Sequence, residues 1–118
     1  MPIYIADPSI DPVSLQTVPE KYLIFYASVV DGKMWCPDCV DVDPLIQEAF
    51  SGEDKPGALL VYVGNRTQWK TPSNIFRQAP WKVTGVPAIV KVKDGHPGER
   101  IVEGEITRDR LAEFVKAD

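Results

Sequence analysis

Two near-continuous apolar runs dominate the chain, at residues 22–27 and 58–63. Runs that are apolar on both faces are typical of central strands covered by helices on each side. Residues 37–50, between the two runs, predict a helix in which Pro44 is expected to introduce a kink. Four apolar residues at helical spacing form the predicted buried face of this helix: Val42, Leu45, Ile46 and Ala49.

Shorter elements are predicted around these runs. Residues 3–6 fit an edge strand, and Asp11 followed by Pro12 is the pattern of a helix N-terminus, so a brief helix is expected to end before Pro19. The polar residues 28–34 predict a loop that precedes the helix over residues 37–50.

A second helix is predicted after the second apolar run. Thr71 suits its N-cap, Pro72 its first position, and Pro80 marks its end. Its apolar side is predicted to consist of Ile75, Phe76 and Ala79. Trp69 and Trp81 flank this segment and are expected to pack in the core.

The last third of the chain predicts a hairpin followed by a helix. Residues 88–93 and 99–103 are expected to pair as antiparallel strands, because the connecting residues 94–98 favour a turn. Thr107 is expected to cap a final helix. The predicted apolar face of that helix consists of Leu111, Phe114 and Val115.

The resulting order, β-α-β-α-β-α-β-β-α, predicts an α/β fold with a central mixed β-sheet and helices on both faces. The 118 residues, 44% of them hydrophobic, fit a single domain over residues 1–118. A chain of this length buries roughly two-thirds of the surface that it exposes when unfolded, which suffices for one core.

Charge and hydropathy exclude several kinds of partner. With 13 basic and 17 acidic residues the net charge is −4, and no cluster of Lys and Arg suggests nucleic-acid binding. The longest apolar runs have six residues, whereas a membrane-spanning helix needs roughly twenty. Residues 1–20 lack Lys and Arg and do not fit a secretory signal, so we expect a cytoplasmic location. We also expect the protein to be a monomer.

The two cysteines, Cys36 and Cys39, are separated by two residues. A zinc site is disfavoured because four ligands are needed and His96 is the only histidine in the sequence. A structural disulfide is disfavoured in a reducing compartment, and so short a loop gains little entropy. These considerations favour a redox pair over metal binding, and no metal is expected.

The position of the pair explains how a redox site would operate. Cys36 lies where the loop meets the predicted helix, so the positive end of the helix dipole favours its thiolate, while Pro37 favours the helix start. Cys39, one turn further, is placed to attack a mixed disulfide on Cys36 and leave a Cys36–Cys39 disulfide. Trp35 is either an apolar shoulder beside the exposed sulfur or plain packing.

Charged neighbours of the pair have opposing effects. Asp38 suits the first helical turn, but its charge opposes a thiolate on Cys36, so its net effect has no fixed sign. Lys33 offers compensation if the loop folds inward, although a solvated lysine is the simpler interpretation.

Residues 84–87, Thr-Gly-Val-Pro, stand directly before the predicted strand over residues 88–93. A cis bond between Val86 and Pro87 would present the Val86 backbone to an extended substrate segment. From spacing alone, a trans proline at a strand start is the commoner case.

The Trp-Cys-Pro-Asp-Cys motif at residues 35–39, Pro44 five residues later and Gly-Val-Pro at residues 85–87 resemble the thioredoxin superfamily. Within it, that motif, the long loop over residues 28–34 and the segment 68–77 resemble the family of thioredoxin-related protein of 14 kDa, also called thioredoxin domain-containing protein 17.

The resemblance implies a thioredoxin fold and a cytosolic disulfide reductase, with an antioxidant role, that binds no cofactor and receives electrons from NADPH through thioredoxin reductase. Family members act on small disulfides such as cystine and on selected protein disulfides. By position, Cys36 is the nucleophile, Cys39 the resolving cysteine and Pro87 the cis-proline, while Trp35, Pro37, Asp38 and Val86 support substrate binding. The inserted loop is expected to restrict bulky substrates.

One departure leaves a role open. Ordinary thioredoxins keep a buried Asp on the strand before the motif, but residues 21–27 contain no acid. Asp38, Asp41, Asp43 and water all stay candidates for the base that deprotonates Cys39.

Two functions are alternatives to a thioredoxin-type reductase. A glutaredoxin-like, glutathione-dependent reductase shares the Cys-Pro-x-Cys pattern, but the residues after Pro87 lack the paired glycines that the resemblance to glutaredoxins would require. A redox-switched protein-binding module would dock a partner through the surface of Trp35 and Pro87.

Overall fold

The computed structural model describes residues 3–51 and 57–116, with only the backbone of Lys116. The predicted domain over residues 1–118 also includes residues 1–2, 52–56 and 117–118, which lie outside the described residues. Seven strands are described: β1 (Ile3–Ile5), β2 (Tyr22–Tyr26), β3 (Val29–Val30), β4 (Lys33–Met34), β5 (Ala58–Tyr62), β6 (Ala88–Lys93) and β7 (His96–Val102). The α-helices are α1 (Pro37–Phe50), α2 (Arg66–Lys70) and α3 (Arg108–Lys116), and 3₁₀ turns span Ser14–Gln16, Ile75–Arg77 and Glu103–Glu105.

The main sheet has the strand order β1-β5-β2-β6-β7. β2 pairs in parallel with β5, which also pairs in parallel with β1, whereas β6 runs antiparallel to β2 and to β7. All five residues of β2 are buried, as expected for a central strand between two neighbours. The predicted mixed α/β sheet is therefore confirmed.

Helical segments cover both faces of β2. The ring of Tyr22 makes edge contacts with Phe50 of α1 and Phe114 of α3. Phe25 contacts Phe76, which lies in the 3₁₀ turn Ile75–Arg77. Because side chains alternate along a strand, positions 22 and 25 face opposite sides of the sheet.

Several predicted elements appear as the pattern indicates. Helix α1 spans the predicted residues 37–50, and Ile46 and Phe50 are buried on its inner face. Asp11 accepts the Ser14 amide at the start of a brief 3₁₀ turn. Trp69 and Trp81 are buried, which confirms the prediction that they pack in the core.

The second helix is earlier and shorter than predicted. It spans Arg66–Lys70, and Thr71 is its C-cap rather than the N-cap of a following helix. Asn65 starts the helix through a capping box: its side chain accepts the Gln68 amide while the Gln68 side chain accepts the Asn65 amide, both at 2.8 Å. Residues that precede proline disfavour helical geometry, so the helix ends before Pro72.

Two hairpins differ from their predictions. Residues 28–34 contain the paired strands β3 and β4, connected by Asp31 and Gly32 with φ values of 52° and 87°. The second hairpin turns at Asp94 and Gly95, with Lys93 paired to His96, so β7 begins earlier than the predicted residue 99. A two-residue turn with positive φ at both positions matches the twist of the strands, which explains both differences.

The capping box of α2 gives a direct test of where this helix begins. Replacing Asn65 with Ala is expected to lower the free energy of unfolding by about 1 kcal/mol, because the Gln68 amide loses its acceptor. Thr71→Ala is the matched control and should change it by less than about 0.5 kcal/mol. Urea unfolding of both variants measures the difference. A larger loss for Thr71→Ala would contradict the capping assignment.

Candidate functional site

The two cysteines occupy the first turn of α1. Cys36 is the N-cap, with φ −98° and ψ 113°, and Pro37 follows at the first helical position. The Cys36 carbonyl accepts the amides of Cys39 and Val40 at 3.1 and 3.2 Å. Both thiols are free. The sequence therefore places two reduced sulfurs one turn apart at a helix start.

The environments of the two sulfurs differ. Cys36 is 8% exposed, whereas Cys39 has no exposed surface. The Ala27 amide, just beyond β2, donates a hydrogen bond to Cys39 Sγ at 3.5 Å. Burial raises the pKa of the Cys39 thiol to about 12; the Ala27 bond opposes this rise, and the neighbouring Cys36 and Asp38 add to it. Cys39 is thus held as a buried, protonated thiol.

The segment before β6 meets the motif in space. The Cys36 thiol donates a hydrogen bond to the Val86 carbonyl, with 3.7 Å between sulfur and oxygen. The Val86–Pro87 bond is cis, as the resemblance implies, and Val86 is buried. A Cβ added at Gly85 would lie 2.7 Å from a carboxylate oxygen of Glu103, so a larger residue there would displace the Glu103 side chain.

Trp35 is fixed beside the pair by contacts at both ends. Its indole N–H donates to the Gly64 carbonyl at 2.8 Å. The guanidinium of Arg66 lies over the Trp35 ring, 5.1 Å from its centroid, and Nη2 donates to the Trp35 carbonyl at 3.3 Å. Trp35 is half-buried. Trp35 therefore packs against its neighbours and also lies next to Cys36, so the two interpretations of this residue are compatible.

The sequence analysis does not identify Arg66 as part of this site. Because it predicts that the second helix begins at Thr71, it leaves Arg66 in a loop before that helix. The capping pattern of Asn65 and Gln68 is the signal that places Arg66 at the first position of α2.

The charged residues near the motif occupy different settings. Asp38 and Asp41 are exposed, whereas Asp43 is half-buried. Asp43 accepts the Tyr26 hydroxyl at 2.9 Å and the Gln47 amide at 3.3 Å. Burial, reinforced by Asp43, raises the pKa of Tyr26 well above its usual range, so the hydroxyl stays a donor.

Lys33 and Pro37 lie at the surface around this region. Lys33 is exposed and lines a groove of about 390 Å³ with Tyr26, Asp43 and Gln47. Pro37, at the start of α1, is exposed too. The structure thus brings Cys36, Cys39, Trp35 and Val86 together, with Asp38 at the edge.

Residues 3–51 and 57–116 contain neither a cluster of metal ligands nor a helix that could span a membrane. No group of three or more His, Cys, Asp or Glu side chains there is arranged to hold a metal ion. Among the same residues, no helix has the length and apolar character needed to cross a membrane.

Residues 10–118 match the thioredoxin domain of the thioredoxin domain-containing protein 17-like family. The chain belongs to this family. Thioredoxin domain-containing protein 17 of Mus musculus is 38% identical over 87 residues, covering 72% of this chain and 67% of the mouse protein. Thioredoxin-like protein Clot of Oryza sativa subsp. japonica is 32% identical over 105 residues, covering 82% and 73%. The alignments with the mouse and human proteins span about two thirds of those relatives, 67% and 66%.

Solved structures share the fold. Reduced thioredoxin 2 from Pseudomonas aeruginosa PAO1 aligns with a TM-score of 0.61 at 23% identity, covering 97% of this chain and 93% of that one. A thioredoxin mutant from Halobacterium salinarum NRC-1 aligns with a TM-score of 0.59 at 22% identity, covering 98% and 87%. The chain has the thioredoxin fold, and its family supports an oxidoreductase role in general terms.

The buried Cys39 thiol gives a prediction for stability against pH. Its pKa is raised in the folded protein, so the unfolded chain loses this proton first and stability falls as pH rises from about 9 toward 12. Urea unfolding with a reductant at pH 7 to 10.5 measures the fall. Between pH 9 and 10.5, the reduced protein should lose more stability than Cys39→Ser, with a difference in slope that rises toward about 1.4 kcal/mol per pH unit because the unfolded thiol is only about half ionised at pH 9. Parallel pH profiles for the two proteins would disprove the assignment.

Proposed function

We propose that this protein is a thiol–disulfide oxidoreductase that works in the reducing direction through residues 35–39. One observation carries the proposal: a slightly exposed Cys36 thiol at the start of α1 beside the Val86 carbonyl, with a buried Cys39 thiol one turn behind. Cys36 keeps a small exposed fraction at which a substrate can reach it, whereas Cys39 is fully buried and can react only with Cys36.

In the first step, the Cys36 thiol loses its proton to solvent and the thiolate attacks one sulfur of a disulfide. A Cys36–substrate disulfide forms, the substrate S–S bond breaks, and the departing thiolate takes up a proton. Cys36 lies at the N-terminal end of α1, which is the positive end of the helix dipole.

In the second step, the Cys39 thiol loses its proton and attacks Cys36 Sγ. The mixed disulfide breaks, the second substrate thiolate leaves and is protonated, and a Cys36–Cys39 disulfide remains. The substrate has gained two electrons and two protons, and the two cysteines have lost two electrons.

Backbone and side chains around Cys36 orient the substrate. The Val86 carbonyl next to Pro87 is positioned to accept an amide of an extended substrate segment, as in strand addition. Trp35 and Pro37 provide apolar surface beside Cys36, and Asp38 contributes negative charge at the helix start.

Electrons for the next cycle come from NADPH through thioredoxin reductase, which reduces the Cys36–Cys39 disulfide. The substrates are small disulfides such as cystine and selected protein disulfides, and the protein acts in the cytoplasm as a monomer. The family match with thioredoxin domain-containing protein 17 supports this assignment.

Two serine variants test the roles of the cysteines. Cys36→Ser should reduce cystine turnover at least 100-fold, because the attacking sulfur is absent, whereas Cys39→Ser should accumulate a mixed disulfide on Cys36. NADPH consumption with thioredoxin reductase and cystine measures turnover, and mass spectrometry detects the trapped adduct. Normal turnover by Cys36→Ser would refute the proposal.

The source of electrons is tested in the same assay. Replacing thioredoxin reductase by glutathione and glutathione reductase should leave turnover at background. Turnover with glutathione alone would identify a glutaredoxin-like reductase instead. Absence of turnover in both systems would favour a redox-switched binding module.

A further inference from the structure

The Arg66 side chain contacts Trp35, the residue that precedes Cys36. Its guanidinium stacks over the Trp35 ring at 5.1 Å and donates one hydrogen bond to the Trp35 carbonyl. Arg66 is the first residue of α2, whose start is fixed by the Asn65 capping box. The side chain is therefore held at both its base and its tip, although it lies at the surface.

Covalent geometry limits how far this cation lies from the reactive sulfur. The Trp35 carbonyl oxygen is separated from Cys36 Sγ by one peptide unit and one side chain, at most about 6 Å. Nη2 lies 3.3 Å from that oxygen. The guanidinium nitrogen is therefore within about 9 Å of Cys36 Sγ.

No acidic side chain among the described residues forms an ion pair with Arg66. Among residues 3–51 and 57–116, the ion pairs join Lys91 to Glu99 and Arg108 to Glu48, and neither includes Arg66. A guanidinium has five N–H donors, of which one is used by the Trp35 carbonyl. The remaining donors match the planar geometry of a carboxylate.

We propose that Arg66 is a specificity-determining residue that binds a carboxylate of small disulfide substrates while Cys36 attacks their sulfur. This inference rests on the proposed disulfide reductase function. In a disulfide with its carboxylate two or three carbons from sulfur, the carboxylate oxygen lies about 4 to 5 Å from that sulfur. Adding the new S–S bond and one hydrogen bond gives a reach of roughly 9 Å, which covers the largest separation that covalent geometry allows between Cys36 Sγ and the guanidinium nitrogen.

A series of small disulfides that differ in charge tests this assignment. The probes are 3,3′-dithiodipropionate, a dianion; 2-hydroxyethyl disulfide, which is neutral; and cystamine, a dication. Pre-reduced protein is mixed with each probe, and alkylation followed by mass spectrometry measures the rate of thiol loss. Because no reductase is present, recharging does not affect the result.

For the wild-type protein, the ratio of the dianion to the dication rate constant should exceed the same ratio measured with a small free thiol, which corrects for the different pKa values of the leaving thiols. In Arg66→Gln, the ratio of the dianion to the neutral rate constant should fall about five- to tenfold, as expected for loss of one partly solvated charged hydrogen bond. The wild-type ratio should also fall between 20 mM and 0.5 M salt, since salt screens exposed charges.

Arg110→Gln is the matched control, since it changes the net charge equally. Arg110 lies on α3, where Arg108 contacts Glu48; Glu48 lies twelve residues after Cys36, about 18 Å along α1. This variant should leave the dianion-to-neutral ratio within twofold. Arg66→Lys, which keeps the charge but loses the planar fork, should restore part of the ratio.

The outcomes separate this inference from the proposed function. An Arg66→Gln variant that slows all three probes by the same factor would show that Arg66 only positions Trp35, which overturns the carboxylate role. Equal ratios in wild type and Arg66→Gln would overturn it too, while leaving the reductase function intact. A wild-type protein that is inert toward all three probes would refute both. Thermal unfolding of each variant confirms that it is folded.

Discussion

The buried central strand β2 is the constraint on which the site depends. It pairs with β5 in parallel, from Tyr22 opposite Ala58 to Tyr26 opposite Tyr62, and with β6 in antiparallel register. The ends of β2 and β5 and the beginning of β6 therefore meet at one edge of the sheet. One residue beside each of these ends contacts the motif. Ala27 contacts Cys39, Gly64 contacts Trp35, and Val86 contacts Cys36. Strand register thus fixes the positions of both sulfurs and of the Trp35 indole.

The electrostatic character of the site differs from that of the whole chain. The protein carries a net charge of −4, and Asp38 adds negative charge in the first turn of α1. Arg66 is held on Trp35 at the opposite end of the motif. A substrate that approaches Cys36 therefore meets an acid on one side and a guanidinium on the other. Such an arrangement favours ligands that place a carboxylate at Arg66, away from Asp38, over ligands that carry only positive charge.

Much of the fold is predictable from the sequence because the decisive signals are local. Pro37 marks the start of α1, and the spacing of its apolar residues predicts its extent, so the bounds 37–50 are confirmed. The hairpin of β3 and β4 is missed although Asp31-Gly32, between Val29-Val30 and Lys33-Met34, is a local turn signal. The second helix is misplaced because a Thr-Pro pair suggests an N-terminus that the capping box of Asn65 supplies six residues earlier.

The site is only partly predictable, because its contacts join distant parts of the chain. The cysteine pair and Pro37 are visible as a motif, and their catalytic roles stay predictions. The contact between Cys36 and Val86 spans 50 positions and that between Trp35 and Arg66 spans 31. Contacts over such separations follow from strand register, which apolar periodicity alone does not specify. The sequence indicates that Val86 and Pro87 belong to the site, whereas the contacts of Cys36 with Val86 and of Trp35 with Arg66 are visible only in the structure.

The unequal burial of the two sulfurs affects the second proposed step, in which Cys39 attacks Cys36 Sγ. Burial is the main reason why the pKa of Cys39 is raised, and the hydrogen bond and charge of Cys36 add to it. When Cys36 is bonded to a substrate sulfur, it carries no charge, and its sulfur is a weaker acceptor for the Cys39 thiol proton. Both contributions of Cys36 then weaken, so in the proposed mechanism the Cys39 pKa falls once a mixed disulfide has formed. The Ala27 amide still donates to Cys39 Sγ and stabilises the thiolate. Cys39 is thus kept unreactive in the reduced protein and becomes easier to deprotonate at the stage at which it must attack.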